Sequence, residues 1–341
     1  MALPTNGKNP RIDQVTPIAA IPGGEFLIRG KDLKGELANP DIRFGEMPAP
    51  IIVGSDSMVI ARVPEGASIG ELNVGGSPPN AQWTCEIGIQ IADSLHPVSS
   101  PAIDAFGNIY ATFSGARGQK TSVAVYKIDL NYSVRPFVSD LMNATGLAFG
   151  ADGALYISSR HEGVVYQASP TGDLSIYCEG MGTATGLAFD RHGNLFVGDR
   201  SGTIFKISPD RQIYVFATVE PSVAAYHLAF DEDGNLYVTG PTTSSFDAIY
   251  RISPAGEVST FYRGLGRPQG LAFDAEGNLY CCSSLRGRRG VVRITPGGEA
   301  ELFLSGPNIV GLAFSPSRAM IVATNNAIFR VDSGIKGLPL P

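Results

Sequence analysis

An all-β chain, a small sandwich followed by a six-bladed β-propeller, is what three observations in this 341-residue sequence predict. First, the motif apolar-Ala-Phe-Asp-x-x-Gly-Asn-Leu-Tyr recurs at steps of 46, 40, 41, 43 and 41 residues, and a period in the forties with several strands per unit marks a propeller. Second, 41 glycines and 24 prolines make about a fifth of the chain turn-formers, against a usual ~12 %. Third, short apolar runs before the first repeat are punctuated by Gly and Pro every 8–12 residues, as in a small sandwich. With 43 % hydrophobic and 17 % charged residues the composition is globular, and it excludes disorder, coiled coil and collagen. A net charge of −6 argues against a general nucleic-acid binder.

The elements follow in order. The N-terminus lacks a basic segment leading into an apolar run, and no stretch approaches the ~18 apolar residues of a membrane span, so a cytoplasmic protein off the membrane is expected. Residues 8–86 carry strands at Phe26–Arg29, Asp41–Phe44, Ile51–Val53, Met58–Arg62 and Gly70–Val74. Residues 87–341 carry the repeats: Pro101–Tyr110, Leu147–Tyr156, Leu187–Phe196, Leu228–Tyr237, Leu271–Tyr280 and a degenerate Leu312–Ile321. Each unit reads as four strands, as in Gly270–Phe273 for the first and Asn235–Thr239, Ala248–Ile252 and Val258–Phe261 for the others. The glycine of Asp-x-x-Gly-Asn supplies the positive φ of a tight hairpin, which makes Asp190, Asp231 and Asp274 structural. The sixth unit lacks a fourth strand. Ile91 precedes Ile103 by the same 12 residues that separate Phe261 from Phe273, so residues 87–92 are expected to close the ring on the last blade.

Cys85, Cys178, Cys281 and Cys282 make no CxxC or zinc spacing and read as reduced structural thiols. Strand order puts the 1–2 and 3–4 turns on one side of the ring and the 2–3 and 4–1 loops on the other. The second side carries long, unequal loops, Ser283–Gly290 among them, with nine basic residues against six acidic ones, Arg117, Arg160, Arg200, Arg267 and Arg288 included. A basic rim on an acidic protein favours an anionic ligand, and function concentrates on variable loops over a rigid scaffold. The site is therefore expected at this mouth. There the inner strands begin with Thr145-Gly146, Thr185-Gly186, Tyr226-His227, Gln269-Gly270 and Val310-Gly311. His227 alone breaks the glycine pattern, and an imidazole can act as acid, base or ligand. Asp199 or Asp247 would orient it, Arg200 would hold a carboxylate bidentately, and Arg267, Gln269, Tyr226, Thr145, Thr185 and Arg160 complete the ligand-binding set. No GxSxG, P-loop or HExxH occurs.

Two resemblances stand on these residues. Ile12-Asp-Gln-Val-Thr-Pro17, Gly23-Gly24, Phe26–Gly30, Phe44-Gly45 and Val63-Pro64 resemble a TIG/IPT immunoglobulin-like domain over residues 8–86, which implies a spacer or a site for a protein partner. Pro268–Asp274 and Gly277–Tyr280, with their repeats, resemble the NHL-repeat and senescence-marker/gluconolactonase-like propellers over residues 87–341. The lactonase-like relatives imply a divalent cation such as calcium, held by carboxylates at the inner-strand starts. Ser99, Ser100, Thr145, Thr185, Tyr226, His227 and Gln269 stand there instead, so no metal cofactor is expected. The preferred reading is binding, with hydrolysis as an extension, of a small polar or anionic molecule at the mouth. The alternatives are a non-catalytic interaction scaffold and a lyase using His227 as base.

Overall fold

The computed structural model describes residues 10–35, 39–68, 70–75, 83–115, 120–243 and 247–339, and Arg117 lies outside them. Among the described residues every regular element is a strand, and no helix is long and apolar enough to cross a membrane.

Two four-stranded sheets form the N-terminal unit. One orders Arg11–Thr16, Glu25–Lys31, Met58–Arg62 and Ile51–Gly54; the other orders Met47–Pro48, Ile42–Phe44, Glu71–Val74 and Trp83–Thr84. Their alternating residues Phe26, Ile28, Phe44, Val59, Ala61, Leu72 and Val74 bury one face of each strand in a single cluster. The rings of Phe26 and Phe44 meet at 5.6 Å.

Six sheets follow, each built from a first, second, third and fourth strand. The innermost strands touch in cyclic order, Ala102–Ile103, Ala144–Phe149, Ala184–Phe189, His227–Phe230, Leu271–Phe273 and Ile309–Phe314, and the last touches the first. In the sixth sheet the outermost strand is Ile89–Ala92, antiparallel to Ile328–Val331. The segment expected to close the ring divides at Gly88. Upstream, Glu86–Ile87 pairs in parallel with Ala19–Ala20, which pairs in parallel with Ala300–Ser305. Gly88 donates to the Ala20 carbonyl at 2.8 Å, and a Cβ there would stand 2.8 Å from Ile21 Cγ2 and 2.9 Å from Val331 Cγ2. The fifth blade thus becomes a six-stranded sheet into which the N-terminal unit is built.

Adjacent blades lock through repeated aromatic triads. Tyr237 of the fourth blade meets Phe261 of its own outer strand at 5.0 Å and Phe273 of the next blade at 4.8 Å, both edge-to-face. The same arrangement recurs around Tyr110, Tyr156, Phe196 and Tyr280. Such pairs contribute about 0.5–1.5 kcal/mol beyond the area they bury. At the seam between sixth and first blades Ile91, Ile103 and Ile321 pack instead.

The Asp-x-x-Gly-Asn turns are structural. Asp231 accepts the Asn235 backbone N–H and its side-chain amide, each at 2.8 Å, while Gly234 takes φ 81°. Asp104, Asp190 and Asp274 repeat these bonds with Asn108, Asn194 and Asn278. Ser283–Gly290 is not a loop: Ser283, Ser284 and Leu285 pair with Gly290, Arg289 and Arg288 around a two-residue turn. Arg286 (φ 51°) and Gly287 (φ 81°) give that turn the two positive φ angles a tight hairpin needs. Beyond the last strand the chain crosses the 1–2 turn side. The Lys336 carbonyl accepts from Ala275 N–H at 2.8 Å, Gly337 lies opposite Asp274, and Leu338 N–H donates to the Phe273 carbonyl at 2.9 Å.

Candidate functional site

At the 2–3 and 4–1 side the inner strands begin with small or hydroxylated residues, and these pack into one another. Thr145 is wholly buried and Thr185 and Tyr226 are 1 % exposed. Thr145 Oγ1 donates to Asn143 O at 3.0 Å, while its carbonyl accepts the Ser99 hydroxyl. Thr185 Oγ1 donates to Gly198 O at 2.8 Å and accepts Tyr226 N–H at 3.1 Å; the Thr185 carbonyl accepts Ser158 Oγ. The Tyr226 hydroxyl donates to the Glu220 carbonyl, and burial raises its pKa. The glycines explain the closeness. A Cβ on Gly146 would overlap the Thr185 carbonyl, one on Gly186 the Tyr226 carbonyl, and one on Gly311 the Ser100 backbone. The expected mouth is a hydrogen-bonded girdle, because glycine lets neighbouring inner strands meet there.

His227 stands in that girdle at a position that holds glycine in four of the other blades and Ser100 in the first. Leu228 and Phe230 pack toward the third blade and Ala229 toward the fifth, so strand alternation turns His227 toward the fifth. It is 6 % exposed, and burial pushes its pKa down to about 4 with no charged group among the causes. Among the described contacts, both expected carboxylates accept from other groups. Asp199 accepts Thr183 N–H at 2.7 Å and the Ser201 hydroxyl, whereas Asp247 Oδ1 accepts Thr242 N–H at 2.9 Å and its hydroxyl at 2.7 Å.

Two of the remaining candidates, Arg200 and Arg160, reach groups of neighbouring loops. Arg200 Nη2 donates to Val223 O at 2.8 Å, and Arg160 Nη2 reaches Ser114 Oγ at 3.4 Å. Gln269 is tied through its backbone to Cys282 and Thr239, and Arg267 is exposed at φ 49°. Arg288, counted with the basic rim, donates instead to the carbonyls of Thr16 and Glu25 at 3.2 and 2.9 Å. Among the described residues no three His, Cys, Asp or Glu side chains stand together to hold a metal. The girdle hydroxyls are engaged with carbonyls, a donor set that does not fit a carboxylate-held cation. All four cysteines are free and buried, with the Cys85, Cys178 and Cys281 thiols pushed up to about 12 by burial.

Two cavities lie at the other end of the axis. An axial chamber of about 690 Å³ is lined by one alanine from every blade: Ala102, Ala148, Ala188, Ala229, Ala272 and Ala313. Ile103 and the phenylalanines of the Leu-Ala-Phe strands deepen it, and Arg191, His192, Lys206, Glu232 and Asp233 form a polar rim. A second cavity of about 850 Å³ adjoins it beneath the turns of the first, second and sixth blades. The two share Ile103, Phe149, Phe314, Leu338 and Pro339 as walls. The alanine that recurs in all six repeats, the degenerate one included, was the available signal for this chamber. A small side chain at the same position of every inner strand lines this apolar space.

The class of protein is an immunoglobulin-like unit joined to a β-propeller. Residues 10–84 match the IPT/TIG domain family and residues 218–247 the β-propeller repeat family. No curated protein matches the chain in sequence. Among solved structures, an auxiliary nutrient binding protein from Bacteroides thetaiotaomicron is 11 % identical, with a TM-score of 0.57 over 95 % of this chain and 97 % of that one. A gluconolactonase from Xanthomonas campestris is 16 % identical, with a TM-score of 0.60 over 75 % and 90 %. A catalytically inactive histidine-to-alanine variant of virginiamycin B lyase from Staphylococcus aureus, solved with quinupristin, is 13 % identical, with a TM-score of 0.52 over 97 % of both chains. At these identities the likeness is one of fold.

Proposed function

We propose that this chain is a ligand-binding propeller that takes a small amphipathic molecule into the axial chamber on its 1–2 turn side. The supporting observation is the apolar bore of about 690 Å³ walled by six alanines, beside a girdle that is buried and hydrogen-bonded at the opposite end. Concave, mostly apolar space with a few polar groups at its edge is the ordinary form of a small-molecule site. The ligand's apolar body lies among the alanines and phenylalanines. Its polar or anionic group stays at the rim, where Arg191 and Lys206 donate and Glu232 and Asp233 accept. The test is a fluorescence titration with 1-anilinonaphthalene-8-sulfonate. The native chain binds one equivalent, and Ala148→Leu/Ala229→Leu, which fills the bore, weakens binding at least tenfold. Equal binding by both chains overturns the reading.

A second reading, hydrolysis of a lactone or ester or elimination with His227 as base, rests on the buried imidazole, which is neutral at pH 7. Its test is whether His227→Ala abolishes turnover across a panel of lactones and cyclic esters while leaving dye affinity unchanged.

A further inference from the structure

The chain's last described residues lie against the chamber just described. Gly334 takes φ 69°, and a Cβ there would meet nothing within 4 Å, so the turn leaving the sixth blade is unobstructed. Ser333 Oγ donates to Arg318 O at 3.2 Å, and from there the segment reaches the fifth blade. It extends that blade's inner strand at its end, through the Ala275–Lys336 and Phe273–Leu338 backbone bonds and the Asp274–Gly337 bridge. Gly337 passes directly over Phe314, where a Cβ would overlap Phe314 Cβ and stand 3.0 Å from Cγ. Leu338 packs with the apolar cluster between the fourth and fifth blades. Leu338 and Pro339 then form part of the wall of both cavities.

Resting on the reading of the axial chamber as the ligand site, we propose that residues 335–339 are a removable strap. In place, they partition one large chamber into two and fill part of it with the chain's own Leu338 and Pro339; released, they open it to a larger amphipathic ligand. The strap is tied by two backbone hydrogen bonds and two apolar side chains, Ile335 and Leu338, without any ion pair among the described contacts. A ligand presenting a bulky apolar group gains the surface that Leu338 leaves. Because the segment binds as an extended strand, the same sequence supplied as a free peptide should compete with such a ligand.

Three chains test this: native, Gly337→Val, and one ending at Gly334. Trypsin cleavage after exposed Lys336 reports whether the segment has left its seat, and 1-anilinonaphthalene-8-sulfonate reports access to the chamber. Gly337→Val should cleave at least tenfold faster than native. Both altered chains should bind the dye at least fivefold more tightly, at one equivalent and with an unchanged far-ultraviolet dichroism spectrum. The peptide Ile-Lys-Gly-Leu-Pro should displace the dye from the shortened chain. Fast cleavage of Gly337→Val with dye affinity equal to native overturns the strap while leaving the chamber standing. Equal affinity of native and shortened chains does the same where Gly337→Val misfolds. If no chain binds the dye in a manner sensitive to Ala148→Leu/Ala229→Leu, the chamber reading falls and the strap with it.

Discussion

At position 227 an imidazole occupies ground that glycine holds at 146, 186, 270 and 311, and the cost of that choice depends on pH. Burial lowers the His227 pKa from an ordinary 6.5 to about 4. The unfolded chain therefore binds a proton that the folded chain refuses between those values, and stability falls as pH drops from 6.5 toward 4. The loss is on the order of 3 kcal/mol once both states are protonated. Urea midpoints measured at pH 7 and pH 4.5 should converge in His227→Leu relative to native; an unchanged difference would place the imidazole in water. The glycines are constrained by space. Gly146→Ala drives a methyl into the Thr185 carbonyl and should destabilise by about 1–3 kcal/mol. Gly297→Ala meets only Thr295 Oγ1 at 3.7 Å and should shift stability by no more than about 0.5 kcal/mol. The anomaly at 227 could be read from the repeat. That the expected partners Asp199 and Asp247 accept from Thr183, Ser201 and Thr242 could not, because these bonds depend on how each loop closes.

Among the elements, the strand Ile89–Ala92 and the hairpin Leu279–Ile294 do the joining. The first was legible as a missing fourth strand supplied from upstream, since the 12-residue spacing to Ile103 repeats that from Phe261 to Phe273. Ile91, 8 % exposed among Ile103, Ile321 and Ile328, anchors it. Ile91→Ala should cost about 2–4 kcal/mol in chemical denaturation, and a cost below 1 would mean the ring closes without that contact. The tip of the hairpin reads as a loop in the sequence because its arginines and serines look solvated, although pairing needs only backbone groups. Its Arg288 is half-buried, and its two hydrogen bonds reach carbonyls of the N-terminal unit. Arg288→Ala removes charge-assisted bonds of about 1.5–3 kcal/mol. Amide exchange at Ala20, Ile21 and Gly88 should then accelerate, while exchange in the third blade stays as it was.

For the whole molecule, the shared sheet has a thermodynamic consequence. Ala19–Ala20 lies between Glu86–Ile87 and the fifth blade, so neither unit can unfold without exposing the other's edge. Calorimetry of the native chain should show one transition with equal calorimetric and van't Hoff enthalpies. Two resolved transitions would show that the pairing is too weak to couple the units. The ring also divides its axis by side-chain size: glycines at one end let the inner strands approach closely, and alanines at the other line a cavity of about 690 Å³.

The amino-acid sequence alone determined the period, the six-fold repetition of the strand motif, the structural role of the Asp-x-x-Gly-Asn turns and the upstream strand that completes the last blade. These rest on local periodicity and turn chemistry, which neighbouring residues dictate. Only the tertiary structure decided that a cavity opens on the 1–2 turn side, that residues 19–20 and 86–87 extend the fifth blade, and that residues 336–339 lie against that cavity. Each of those depends on backbone pairing or close approach between segments as much as 280 positions apart, as between Glu25 and Ser305, and no local pattern encodes such a meeting.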